Sequence, residues 1–170
     1  MDRNEPAIDS SPDGEAWPAP ARAWAMVMLL VAAYAVAFVD RQILTLLVEP
    51  VKRDLGITDT QFSLLSGLAF TFFYTIMGIP FAWLADRGSR RNLIIVSMTF
   101  WSVMTAACGM AGSFLTLFLA RIGVGVGEAG LSPAAYSMIA DSFPPEKRAR
   151  PLGVYVTGAI LGVGLALIIG

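Results

Sequence analysis

Five long apolar stretches follow one another along the chain, at about 23–47, 60–85, 92–112, 114–140 and 152–170, with short polar breaks between them. A helix that crosses about 30 Å of hydrocarbon at 1.5 Å per residue needs roughly 20 mainly apolar residues, so the pattern predicts five membrane spans. The third and fourth are joined by little more than Gly112 and Ser113, which makes them a tight helical hairpin. Between the second and third lies a charged turn, Asp86-Arg87-Gly88-Ser89-Arg90-Arg91. The expected fold class is all-α, a polytopic transmembrane helical bundle.

Composition agrees with the pattern. Hydrophobic residues make up 56% of the chain and charged ones 15%, whereas a soluble domain has about 25% charged and 45–50% apolar residues. The first 22 residues differ: Asp2, Glu5, Asp9, Asp13 and Glu15 stand among Pro6, Pro12, Pro18 and Pro20. So little apolar surface predicts a disordered tail. It has no basic start or short apolar core, so it is no secretory signal, and the span after it stays in the mature protein. The net charge of -1 leaves no basic footprint for a nucleic acid. With Cys108 as the lone cysteine and no histidine, neither a disulfide nor a zinc or haem site is expected. The expectation is therefore no metal, no cofactor and no enzyme, since the clusters that do nucleophilic or metal-assisted chemistry are missing.

Lys and Arg are retained in cytoplasmic loops. Arg3, Arg22, Arg87, Arg90, Arg91, Lys147, Arg148 and Arg150 fall on one side of the predicted spans, Lys52 and Arg53 on the other. The N-terminus is thus expected in the cytoplasm, and a bacterial inner (plasma) membrane is the expected location. The segment Glu49 to Asp59 then faces outward, and its Thr58-x-x-Gln61 matches a capping box that starts the second span. Directly after Ala-Leu-Ile-Ile the chain stops at Gly170 with no polar flank. Either the fifth span ends abruptly or this is a piece of something longer, and a piece truncated before a sixth helix is the expectation.

Four ionisable residues lie within the spans: Asp40 and Arg41 in the first, Arg121 and Glu128 in the fourth. Each costs about 2.5–3.5 kcal/mol at a helix centre, so such residues face a cavity or a partner and mark a substrate or proton pathway. Asp40 lies about 22 Å along span 1 from Ala25, and Arg121 lies about 10 Å from the outer surface, so both fall near one level and an Asp40 to Arg121 pair is open. Glu128 follows two turns below Arg121 on nearly the same face. The alternatives are that span 1 ends at Val39, that Arg121 reaches up to the headgroups, and that Glu128 makes a purely structural hydrogen bond. Low dielectric penalises a charged carboxyl, which gives Glu128 the chemistry of a proton carrier.

Span 4 carries Gly123, Gly125, Gly127 and Gly130, and span 5 carries Gly153, Gly158, Gly162 and Gly164. Gly123-x-x-x-Gly127 and Gly158-x-x-x-Gly162 let helix backbones approach closely, either for tight packing or as a sliding surface. Pro80 and Pro133 are expected to bend spans 2 and 4. Trp24 and Trp83 sit at anchor positions; Tyr34, Tyr74 and Trp101 lie at mid-span and Tyr136 nearer the cytoplasmic end of span 4, as core packing or cavity lining.

The charged turn carries a resemblance. Leu84, Asp86, Arg87, Arg90 and Arg91 match in register the loop between helices 2 and 3 of the major facilitator superfamily, written G-x-L-a-D-R-x-G-R-R, with Ala82 for the first glycine and Gly88-Ser89 where the motif has x-Gly. Arg121-x-x-x-Gly125-x-Gly127 resembles the helix 4 motif, and Asp141 through Arg150 the loop from helix 4 to 5. The antiporter motif of helix 5 needs Gly-Pro, and here Val163 follows Gly162. Asp40-Arg41, Leu55 to Gln61 and Gly125-x-Gly127-Glu128-Ala129 look most like Spinster-type lipid transporters and their bacterial relatives.

The resemblance implies the N-terminal half of a carrier with two six-helix bundles around a midplane site. It implies proton coupling by Glu128 and Asp40 with Arg41 and Arg121, and a cytoplasmic closing motif of Asp86, Arg87, Arg90 and Arg91. The implied partners are the lipid bilayer, protons, a small-molecule or lipid substrate and a missing C-terminal bundle. The alternative from another class is a truncated, non-transporting membrane module that serves assembly or partner binding.

Overall fold

The computed structural model describes residues 17–169. Most of the tail expected over 1–22 lies outside the described residues, and from Pro20 the chain is helical. Five helices are long and apolar enough to cross a membrane: span 1 (Pro20–Leu46), span 2 (Asp59–Arg87), span 3 (Arg90–Gly109), span 4 (Phe114–Ser142) and span 5 (Ala149–Ile169). Span 1 runs past Val39 without interruption, which places Asp40 and Arg41 inside it.

Local chemistry explains the ends. Proline at the first position opens span 1, where the absent N–H has no intrahelical partner to lose. After span 1 comes a short helix, Val48–Leu55, stopped by Gly56 at φ 61, a backbone region that glycine enters without strain. Thr58 and Gln61 then form the expected capping box, Thr58 Oγ1 accepting from the Gln61 N–H and Gln61 from the Thr58 N–H. Across this turn Lys52 Nζ donates to Asp59 Oδ1 at 2.5 Å, which raises the Lys52 pKa above its ordinary value. Ser89 caps span 3 through the Asn92 N–H, and a second capping box of Ser113 with Thr116 opens span 4.

Two spans depart from regular α-helix. In span 2 the segment Leu64–Ala69 is a π-helical turn. In span 4 the helix Phe114–Glu128 is interrupted at Ala129 and Gly130 before Leu131–Ser142 continues. Pro133 explains this break, because it has no N–H to offer the Ala129 carbonyl and its ring crowds that oxygen. Pro80, by contrast, sits within the uninterrupted helix Phe70–Arg87.

Span 4 packs against spans 2 and 3, and span 1 lies along span 5 and touches the second half of span 4. Lipid tails are as apolar as leucine, so close van der Waals contact has to hold such helices together. Glycine supplies the closeness. A Cβ on Gly127 would stand 2.8 Å from the Trp101 backbone N, on Gly125 2.7 Å from the Phe70 O, on Gly158 2.8 Å from the Val31 O and on Gly123 2.6 Å from the Met104 side chain. On Gly162 it would overlap the Ala35 carbonyl oxygen, whereas on Gly164 it would meet nothing. Apolar clusters follow the bundle from end to end. Val27, Val31, Ile139 and Tyr155 fill the N-terminal end of span 1, Ala33, Ala37, Trp101 and Leu131 the middle, and Leu44, Phe62, Leu65 and Leu117 the other end.

Candidate functional site

Four charges meet between spans 1, 2 and 4, near the level where the middle cluster gives way to the last. Asp40 and Arg41 are consecutive on span 1 and so point about 100° apart, which gives each its own partner. Arg41 reaches Glu128: its Nη2 lies 2.6 Å and its Nε 2.7 Å from the same oxygen, Oε2. Asp40 turns toward Arg121, with Oδ2 3.8 Å from Nη1, and accepts a hydrogen bond of 3.2 Å from the Thr105 hydroxyl of span 3.

Two anions balance two cations, so the cluster is neutral as a whole. Glu128 is 1% exposed and Arg121 4%. Span 2 provides the walls. Phe70 follows the π turn directly and stacks on Tyr74 with centroids 5.6 Å apart. The Arg41 guanidinium lies 4.7 Å from the Phe70 ring centre, 4.8 Å from Tyr74 and 5.0 Å from Phe38; Arg121 lies 5.4 Å from Phe70. One ring is thus within cation–π reach of both guanidiniums. An added residue per turn re-aims the side chains that follow it, and π turns of this kind occur often at functional sites.

The network is not closed. Glu128 Oε1 and Arg121 Nε are shut off from solvent and have no hydrogen-bond partner among the described residues. A buried acceptor without a donor costs about 1–3 kcal/mol, so a proton or a donor group from a solute would be held there favourably. Asp40, Thr105 and Arg121 also line a cavity of about 370 Å³ that extends toward the Val48–Leu55 helix, together with Cys108 and apolar residues such as Leu44 and Leu117. Arg41 and Glu128 are not on its wall.

The charged turn between spans 2 and 3 is built differently. Asp86, Arg87 and Arg91 are exposed. Arg87 stacks over Trp83 at 4.3 Å. Arg90 is half-buried, donates to the Ala85 carbonyl and pairs with Asp141 in the last turn of span 4. Asp86 and Arg91 make no ion pair among the described residues.

Depth along the helices showed that Asp40 and Arg121 share a level, and they do approach. The tighter Arg41 to Glu128 pair was not legible, because it depends on how the two helices are rotated about their axes. Sequence reasoning also missed Thr105, Phe38, Phe70 and the π turn, for which hydropathy carries no signal.

Buried ion pairs that join the first and fourth of five apolar spans, with one acceptor left open, define a multi-pass membrane protein with charge held inside its bundle. The chain belongs to the Major Facilitator Superfamily, whose family model matches residues 30–170. An MFS-type efflux pump of Mycolicibacterium smegmatis is 39% identical over 86% of this chain and 36% of its own length. A probable L-galactonate transporter of Escherichia coli is 32% identical over 84% of this chain and 31% of its own. Among solved structures, a bacterial homolog of the human lysosomal transporter Spinster, inward-facing and unoccupied, has a TM-score of 0.84 and 39% identity over 88% of this chain and 31% of its own. The chain therefore spans about a third of the length of these relatives.

Proposed function

We propose that these spans form the N-terminal bundle of a proton-coupled carrier that moves a small organic or lipid-like solute by alternating access. The observation that carries this reading is the Arg41–Glu128 pair with Glu128 Oε1 left open: a carboxylate 1% exposed, held by a guanidinium from another helix. Protonating Glu128 would release Arg41, and Arg41 released could take the acidic group of a solute. Proton and solute would then compete for one set of charges, which is the coupling a secondary carrier needs. Asp40, with Arg121 and Thr105 on the wall of the neighbouring cavity, would be the second protonatable group.

The remaining parts belong to the same proposal. A second bundle would complete a midplane site, as expected for carriers built from repeats that rock around it. The basic end, with Arg87, Arg90 and Arg91, would face the cytoplasm of a bacterial inner membrane, and Asp86, exposed and without an ion pair here, would meet the second bundle when the cavity faces outward. Family membership supports a carrier over a module that only assembles.

The test uses the full-length carrier in proteoliposomes under an imposed proton gradient, with L-galactonate and a single-chain lipid as probe solutes. Gradient-driven accumulation of a transported probe should disappear in Glu128→Gln while exchange without a gradient persists. Unchanged gradient-driven accumulation in that variant would remove the coupling role.

A further inference from the structure

A second cavity has no part in the charge cluster. It measures about 740 Å³ and lies where the start of span 1 meets the connection between spans 4 and 5. Two helices begin on its wall, span 1 at Pro20 and span 5 at Ala149, and neither has an acidic residue in its first turn. No side chain caps the start of span 1. A helix start carries the positive end of the dipole together with backbone N–H groups that have no intrahelical acceptor. Here two such ends meet one space, but as dipoles more than as donors: Pro20 and Pro151 have no N–H, and the Arg22 and Ala23 N–H groups already bond the Ala19 carbonyl.

The side chains add to the same sign. Lys147 and Arg150 are on the wall, and Glu146 is the single acid there. Trp17 and Trp24 line it as well; the Trp17 Nε1 is closed off from solvent with no acceptor among the described residues, and Trp24 packs edge-on against Phe143 at 5.7 Å. Two cations against one acid leave the wall net positive, and the indoles add N–H donors, a balance that suits an anion. Indoles prefer the level of lipid headgroups. One to three turns further along the same two spans, Met28, Leu29, Val156 and Ile160 are exposed apolar side chains of the kind that meet acyl chains.

We propose that this cavity holds the phosphate headgroup of an anionic phospholipid, with Lys147 and Arg150 on the phosphate and the two indoles at the boundary between headgroup and acyl chain. The proposal requires only that the bundle crosses a membrane, not that it transports. Two basic contacts at a membrane surface contribute about 1 kcal/mol each, so the anionic lipid should be preferred over a zwitterionic one by roughly 30-fold.

The experiment places the full chain in phosphatidylcholine nanodiscs that contain either phosphatidylglycerol or further phosphatidylcholine with brominated acyl chains, and reads quenching of tryptophan fluorescence as the labelled lipid is titrated. Half-maximal quenching should need much less brominated phosphatidylglycerol than brominated phosphatidylcholine. That preference should vanish in the Lys147→Gln/Arg150→Gln double variant and grow in Glu146→Gln, with helix content by circular dichroism unchanged in both. Equal quenching by the two lipids, or a preference untouched in the double variant, overturns the proposal. So does competition by soluble glycerol phosphate at matched concentration, which marks a site for a free anion. A preference seen only after removal of residues 2–16 also overturns it, because the acidic N-terminal segment is then the occupant.

Discussion

The Arg41–Glu128 and Arg90–Asp141 pairs each join a guanidinium to a carboxylate across two spans, yet their surroundings set them apart. In the first, the side chains are 24% and 1% exposed; in the second, 32% and 39%. Arg90 and Asp141 stay in contact with water or headgroups, which screen them and would solvate either one alone. Glu128 has given up nearly all of its solvation, and Arg41 is boxed by three aromatic rings. Removing one partner of a desolvated pair strands the other, whereas removing one partner of an exposed pair mostly returns the other to water. Identical chemistry therefore acts as a lock in one place and as a loose tie in the other.

Glu128→Gln puts that contrast under the greatest strain. It should destabilise the bundle by about 3 kcal/mol, the lower part of the range for a broken buried pair because Arg41 is a quarter exposed. Thermal unfolding in detergent measures this, and adding Arg41→Gln to the same chain should recover part of the loss; strictly additive losses would mean that the two charges are not coupled. Next in size is Gly125→Ala, whose Cβ would press on the Phe70 carbonyl from 2.7 Å and push the ring away from both guanidiniums. A cost of about 1–3 kcal/mol is expected for such overpacking, while Gly164→Ala should be near neutral in the same assay.

Asp40→Asn keeps the shape and the Thr105 hydrogen bond but drops the charge facing Arg121 at 3.8 Å. A loss of about 1–2 kcal/mol by the same melt would place this pair between the two extremes; a loss as large as that of Glu128→Gln would show that the second pair is no weaker than the first. Arg90→Ala, at the exposed pair, should change stability by no more than about 1 kcal/mol and lose even that at high salt. Smallest is Lys52, whose pKa is raised mainly by the Asp59 hydrogen bond. A raised cationic pKa stabilises the folded state below the ordinary lysine value of 10.5, and that stabilisation is lost as pH rises through the folded value. Lys52→Gln and the parent should thus converge in melting temperature above that pH.

Much of the architecture was legible in the chain. The five apolar stretches, the tight hairpin at Gly112 and Ser113, and the capping box at Thr58 all follow from local chemistry, and the structure forms them where the pattern puts them. Boundaries moved by a few residues at most spans, because polar flanks such as Arg90 and Asp141 extend helices beyond the apolar run. The turn at Asp86 was legible as charge, but its tie to Asp141 through Arg90 joins residues 51 apart in the chain.

The chain by itself determined which residues enter the bilayer, because transfer free energy depends on side-chain chemistry and length alone. It also determined that Asp40, Arg41, Arg121 and Glu128 would be costly there and would need partners. Which partner each takes was decided by tertiary structure. The rotation of span 1, the close approach that Gly125 and Gly162 permit and the extra residue in the π turn of span 2 set the angles at which four side chains meet. Those angles sum small packing terms from helices far apart in sequence, and no single stretch of chain contains them.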